Sequence, residues 1–124
     1  MLVHGAFLRD DGNLDPWGEI PSELIKNGAV IYRGNQNAAC GVEENGIFLA
    51  RRIEEIIEKS GAEKLNIIAH SKGGLDSRYA ISVLEKGRYV ASLTTINTPH
   101  GGCRYIDFLL KVLPGPIKRG IVNY

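Results

Sequence analysis

Ser71 stands between Ala69 and Gly73 in the run Ile67-Ile68-Ala69-His70-Ser71-Lys72-Gly73-Gly74, a spacing that nucleophilic chemistry at a serine requires. A serine hydroxyl is a weak nucleophile until a sharp strand-to-helix turn presents it to a base. That turn strains the serine backbone, so the residues two before and two after must be small. A helix opening at Lys72 would point unpaired N–H groups and the positive end of its dipole at an anion forming on a serine-bound carbonyl. The Lys72 N–H is therefore one candidate oxyanion donor. The run His4-Gly5-Ala6-Phe7 offers the second, because a tight turn at Gly5 would aim the Ala6 N–H at the same point. A base and an orienting carboxylate would complete the chemistry, and in this kind of turn they normally follow the serine in the chain.

The elements that must hold these residues alternate short apolar runs with longer periodic ones, the pattern of a parallel sheet covered by helices. Met1 to Val3 reads as a strand and Gly5 to Pro16 as a loop. A first helix follows, with Pro21 near its start, Ile20 and Leu24 on one face and Gly28 just past its end. Ala29 to Tyr32 reads as a second strand and Arg33 to Glu44 as polar loop. From about Asn45 to Ser60 the apolar residues Leu49, Ile53, Ile56 and Ile57 recur at helical spacing, Glu55 and Lys59 can pair one turn apart, and Gly61 suits a left-handed cap. Lys64 to Ala69 is a third strand ending at the serine, Lys72 to Glu85 a helix, and Ala91 to Ile96 a fourth strand. Asn97 to Gly102 breaks that strand, and Tyr105 to Leu113 is a short helix stopped by Pro114-Gly115-Pro116. The expected class is α/β, with residues 1–124 forming one domain.

Composition excludes more than it names. Fifteen basic against fourteen acidic residues leave a formal charge of +1 with no block of like charges, so nothing points to nucleic acid or an anionic membrane. No apolar stretch reaches the length of a transmembrane helix, and the first residues lack the pattern of a signal peptide. Met1 leads directly into a core strand, from which a missing upstream leader is expected. Cys40 and Cys103 allow one bridge or none, with two unbridged thiols the expectation. Asp11, Asn13 and Asp15 imitate the start of a calcium loop, but Pro16 replaces the needed glycine and Ser22 the bidentate glutamate. Lys72-Gly73-Gly74 does not follow the order of a phosphate loop, so neither metal nor cofactor is expected.

Three motifs occur in order: Leu2-Val3-His4-Gly5, Ala69-His70-Ser71-Lys72-Gly73-Gly74-Leu75-Asp76-Ser77-Arg78-Tyr79 and Thr94-Thr95-Ile96-Asn97-Thr98-Pro99-His100-Gly101-Gly102. With Trp17 and the long helix before the serine strand, they resemble the N-terminal part of a bacterial triacylglycerol lipase of the α/β-hydrolase fold. Ala69 departs from the glycine most members carry there. The resemblance implies that Ser71 is the acylated nucleophile, that the backbone amides of Ala6 and Lys72 form the oxyanion hole, and that substrates are acylglycerols or other carboxylic esters. It also implies a partial α/β-hydrolase fold of about four parallel strands flanked by helices, the first and third central and the fourth at an edge. Later strands, the lid and the triad Asp and His would lie beyond Tyr124.

Of the three histidines, His4 and His70 read as structural, and His100 alone could serve as a local base. The resemblance assigns His100 to loop support instead. Asp76 and Asp107 read as helix-surface or ion-pair residues, and Arg78 and Tyr79 as packing. A lone serine at a helix start would be an ordinary cap; the three motifs together favour the nucleophile. With the triad Asp and His absent, the chain is expected to be inactive alone and prone to self-association through the exposed edge of the last strand. The competing expectation is a non-catalytic truncated fragment that only folds or associates. Relatives of this kind are commonly secreted.

Overall fold

A computed structural model of the chain describes residues 1–6, 15–104, 108, 111 and 112. Strand β1 (Leu2–Val3), helix α1 (Ile20–Lys26), helix α2 (Val42–Ser60), strand β2 (Leu65–His70), helix α3 (Lys72–Arg78) and strand β3 (Val90–Ile96) follow in that order. The strands are parallel in the order β1-β2-β3, with Leu2 opposite Ile68, Val3 opposite Ala69 and His70 opposite Ile96. The expected Lys64–Ala69 strand is thus shifted by one residue and carries the chain directly into Ser71.

Ala29 to Tyr32 does not form a full strand. Only Arg33 bridges to Leu2, held by Leu2 N–H donating to the Tyr32 carbonyl at 2.9 Å and Gly34 N–H to the Leu2 carbonyl at 2.7 Å. The segment still runs parallel on the far side of β1, so the expected order survives. With β1 only two residues long, the ladder it can offer ends almost as it begins.

One face of the sheet is packed and the other is partly open, which the β2 alternation records: Leu65, Ile67 and Ala69 are buried, while Asn66 is exposed and Ile68 and His70 are half-buried. The packed face meets α2, whose Leu49, Ala50, Ile53 and Ile56 join Val3, Ile67 and Ala80 in the core. This is the apolar stripe read from the sequence, with Ile57 at its margin. Helix α2 starts at Val42, so the end of the expected Arg33–Glu44 loop is helical. Glu43 and Glu44 in its first turn suit the positive end of the dipole, and Gly61 closes it at φ 69° with its N–H on the Ile57 carbonyl.

The helix expected over Lys72–Glu85 keeps α geometry only to Arg78. A π turn follows from Tyr79 to Val83, closed by Leu84 N–H on the Tyr79 carbonyl at 3.2 Å. Close packing accompanies the widening, because a Cβ on Gly46 of α2 would lie 2.5 Å from the Tyr79 ring. The two helices therefore cross where the sequence has a glycine on one and an aromatic ring on the other. Most of the helix expected over Tyr105–Leu113, including Asp107, lies outside the described residues, as do Asp11 and Asn13.

Candidate functional site

Ser71 has φ 52° and ψ −127°, a conformation costing on the order of 1–3 kcal/mol for a residue with a side chain. Such strain persists only where neighbours over-determine it, and here they do. The Ser71 N–H donates to the Ile96 carbonyl at 2.8 Å, and the Ser71 carbonyl accepts from Gly74 N–H at 3.1 Å and from the Thr98 hydroxyl at 2.8 Å. The end of β3 and the loop after it thus fix the turn from one side. This gives the Asn97-Thr98-Pro99-His100 motif a structural task.

The loop after β1 fixes it from the other side. A Cβ on Gly5 would lie 2.8 Å from Ser71 Cβ, and one on Gly73 only 2.3 Å from the His4 carbonyl oxygen. Both glycines are required by close approach, Gly5 for the loop to lie against the serine and Gly73 for the first turn of α3 to sit on the end of β1. Ala69 is fully buried in the packed face of the sheet. The turn is therefore enclosed by two close approaches, at Gly5 and at Gly73, beside the buried Ala69.

The direction of the Ala6 amide is set by its neighbours. His4 Nδ1–H donates to the Gly5 carbonyl at 2.8 Å in a buried setting. In a trans peptide the N–H points opposite to the C=O, so pinning the Gly5 oxygen turns the Ala6 N–H the other way. Lys72, as the first residue of α3, carries an N–H with no intrahelical acceptor. The strands thus bring Ser71, the Gly5-Ala6 turn and Lys72 together at the carboxyl end of the sheet, where open α/β sheets build their sites.

The Lys72 side chain faces inward. Its Nζ lies 2.8 and 2.9 Å from the two Asp76 oxygens, and Asn45 Nδ2 donates to Asp76 at 3.0 Å and to the Asn37 carbonyl at 2.9 Å. Asp76 is buried at 1% exposure, which corrects the surface alternative expected of it and retains the ion pair. Burial raises its carboxyl above the ordinary carboxylate value, opposed by Lys72 and Asn45. The folded state therefore holds that proton more readily than the unfolded chain, and the stability it contributes is lost as pH rises from the ordinary carboxylate value through the raised one. Replacing Lys72 by methionine leaves the carboxylate unpaired and is expected to cost about 3 kcal/mol near neutral pH, shrinking as the carboxyl protonates. Urea unfolding of Lys72→Met across acid to neutral pH checks this; a cost independent of pH counts against it.

His100 is engaged elsewhere. Arg78 has only hydrogens to offer, so its contact at 3.0 Å makes His100 Nδ1 the acceptor and leaves Nε2–H to donate to the Thr95 hydroxyl at 3.0 Å. That arrangement fits loop support. Among the described residues Ser71 Oγ has no side-chain hydrogen bond to a histidine. Asp15 pairs with Arg33 at 2.6 Å and accepts from Trp17 N–H, which holds its carboxyl below the usual range. No group of metal-ligating side chains occurs among the described residues, and no helix there is long and apolar enough to cross a membrane. Cys40 and Cys103 are both free thiols, and Cys40 donates to Glu44, which raises its pKa.

Gln36 and Asn45 gave no signal in the sequence. They are polar residues in a polar segment and at a helix start, and only the tertiary structure buries them, Gln36 with its amide nitrogen 2.7 Å from the His4 carbonyl oxygen.

Known proteins resemble this chain in sequence and in fold. The family model described as "Putative serine esterase (DUF676)" matches residues 2–112. The triacylglycerol lipase of Pseudarthrobacter phenanthrenivorans is 38% identical over 118 residues, covering 91% of this chain and 36% of the relative. That of Burkholderia plantarii is also 38% identical over 118 residues, covering 91% of this chain and 32% of the relative. The chain spans about a third of the length of these curated relatives. Bacillus licheniformis lipase BlEst2 in its mature form superposes with a TM-score of 0.82 at 25% identity, over 99% of this chain and 49% of that one. Its propeptide form gives 0.79 at 27% identity, over 87% of this chain and 24% of that one. The three parallel strands and their flanking helices thus match part of a lipase α/β-hydrolase fold.

Proposed function

Because this chain belongs to the family described as "Putative serine esterase (DUF676)", we propose that it carries the nucleophile and the oxyanion hole of a lipase-like carboxylic ester hydrolase. The observation that carries the reading is the strained Ser71 backbone, held between β2 and α3 with Gly5 against its Cβ. A serine that only capped a helix would occupy ordinary extended backbone and bond its hydroxyl to the first turn, whereas Ser71 makes no such cap.

In the proposed reaction Ser71 Oγ attacks the ester carbonyl carbon and gives its proton to a histidine base. The tetrahedral oxyanion is stabilised by the amides of Ala6 and Lys72, one such donor being worth on the order of 3 kcal/mol of barrier. The carbon–oxygen bond to the alcohol breaks, the histidine protonates the leaving alcohol, and water then hydrolyses the acyl-serine. The contacts of His100 with Arg78 and Thr95 favour loop support for that ring, and a histidine base with its carboxylate is proposed by similarity to the family. Acylglycerols are the proposed substrates, by similarity to relatives named triacylglycerol lipases.

Covalent capture tests the reading. Ser71 Oγ should attack the phosphorus of a fluorophosphonate and expel fluoride to solvent, its proton passing to the base, which adds the phosphonyl mass to the tryptic peptide spanning residues 65–72. Label on another residue, or none above a Ser71→Ala control, removes the proposal.

A further inference from the structure

We propose that Gln36 is a positioning residue for the oxyanion hole, an inference that rests on the serine-hydrolase reading above. Gly5 must lack a side chain to lie against Ser71, and the same lack leaves its backbone free to rotate. Something else has to fix the peptide planes on either side of it. His4 Nδ1–H holds the Gly5 carbonyl, and Gln36 Nε2–H holds the preceding carbonyl, that of His4, at 2.7 Å. Two successive carbonyls are thereby clamped, and the Ala6 N–H direction follows.

The fold brings Gln36 to that point. The bridge at Arg33 and the Gly34 bond to Leu2 lay the segment beside β1, so that Gln36 arrives where β1 ends. Gly34 leaves room for it, since a Cβ there would lie 2.7 Å from Gln36 Oε1. Packing alone does not call for an amide. Gln36 is 4% exposed, and its Oε1 has no hydrogen-bond partner among the described residues, an arrangement an apolar side chain of similar shape would avoid. The donor to His4 is what the glutamine supplies and methionine could not.

The experiment compares Gln36→Met and Gln36→Glu with the parent protein by backbone relaxation and by the rate of fluorophosphonate capture. Order parameters at Gly5 and Ala6 are expected to fall from about 0.85 to below about 0.6 in Gln36→Met, with Leu49 to Ile57 unchanged. Capture at Ser71 is expected to slow about tenfold or more, in line with the loss of one aligned donor. In Gln36→Glu the ordered values return as pH falls, because a protonated carboxyl can again donate to the His4 carbonyl. Methionine shows no such return, and the glutamate variant at low pH serves if the methionine variant does not fold. Unchanged order parameters, loosening spread equally over α2, or a loosened turn with unchanged capture each overturn the assignment. Absence of Ser71-dependent capture in the parent removes the hydrolase reading instead, and relaxation then still decides whether Gln36 orders the turn.

Discussion

Ester hydrolysis, the activity proposed for this chain, is expected to fall on the order of 10⁴-fold or more when Ser71 is replaced by alanine. The expected size follows from what the substitution removes. An oxyanion hole without a nucleophile still binds and polarises the carbonyl, but attack must then come from water, and no acyl intermediate divides the reaction. Alanine retains the Cβ at φ 52°, so the strain stays and fold stability should change little. Steady-state turnover of a p-nitrophenyl ester, with urea unfolding of the same samples, separates the two effects. Undiminished turnover by a folded Ser71→Ala variant means that the nucleophile is elsewhere. His100→Ala provides the contrast. Its ring bonds Arg78 and Thr95, so its loss should loosen the loop after β3 and lower turnover far less. A loss as large as that of Ser71→Ala would instead identify His100 as the base.

Gly73→Ala should be the most damaging single methyl group in this part of the molecule. The added carbon would lie 2.3 Å from the His4 carbonyl oxygen, 2.7 Å from that of Val3 and 3.0 Å from a Val3 methyl. Two of these are backbone atoms, one in the last residue of β1 and one in the residue after it, so relief requires moving the helix off the sheet. The expected cost is about 3 kcal/mol or more, at the upper end for overpacking. Gly61→Ala is the control. Nothing lies within 4 Å of its added carbon, and only the left-handed backbone at φ 69° opposes it, for roughly 1 kcal/mol. Denaturant midpoints at unchanged slope measure the difference. Equal costs would mean that α3 does not approach β1 as closely as described.

Much of the fold was legible because its signals are local. The 3.6-residue stripe of α2 can be counted along the chain, and both its cap at Gly61 and the strand running into Ser71 depend on neighbours in sequence. The elbow was legible for the same reason, since Ala69, Ser71 and Gly73 satisfy a steric requirement two residues to either side. What failed was non-local. Ala29 to Tyr32 has strand-forming residues, but strand length is decided by the partner, and β1 offers two residues. The α geometry after Arg78 gives way in a stretch whose Tyr79 packs on Gly46, more than thirty positions earlier. Asp76 read as a helix-surface or ion-pair residue; the pair with Lys72 is present, but its burial was not legible because the chain does not reveal that Asn45 also encloses it.

The sequence by itself determined the alternation of strands and helices, the position of the candidate nucleophile and the small residues its turn demands. Each of these follows from backbone sterics or apolar periodicity within a few residues. Only the tertiary structure decided which groups hold that turn: the Ile96 carbonyl and Thr98 hydroxyl on Ser71, His4 on the Gly5 carbonyl, and Gln36 on the carbonyl of His4. Those contacts join segments as much as thirty-two residues apart. A hydrogen bond needs its donor and acceptor within about 3 Å, a condition set by how strands and helices pack and not by the order of residues along the chain.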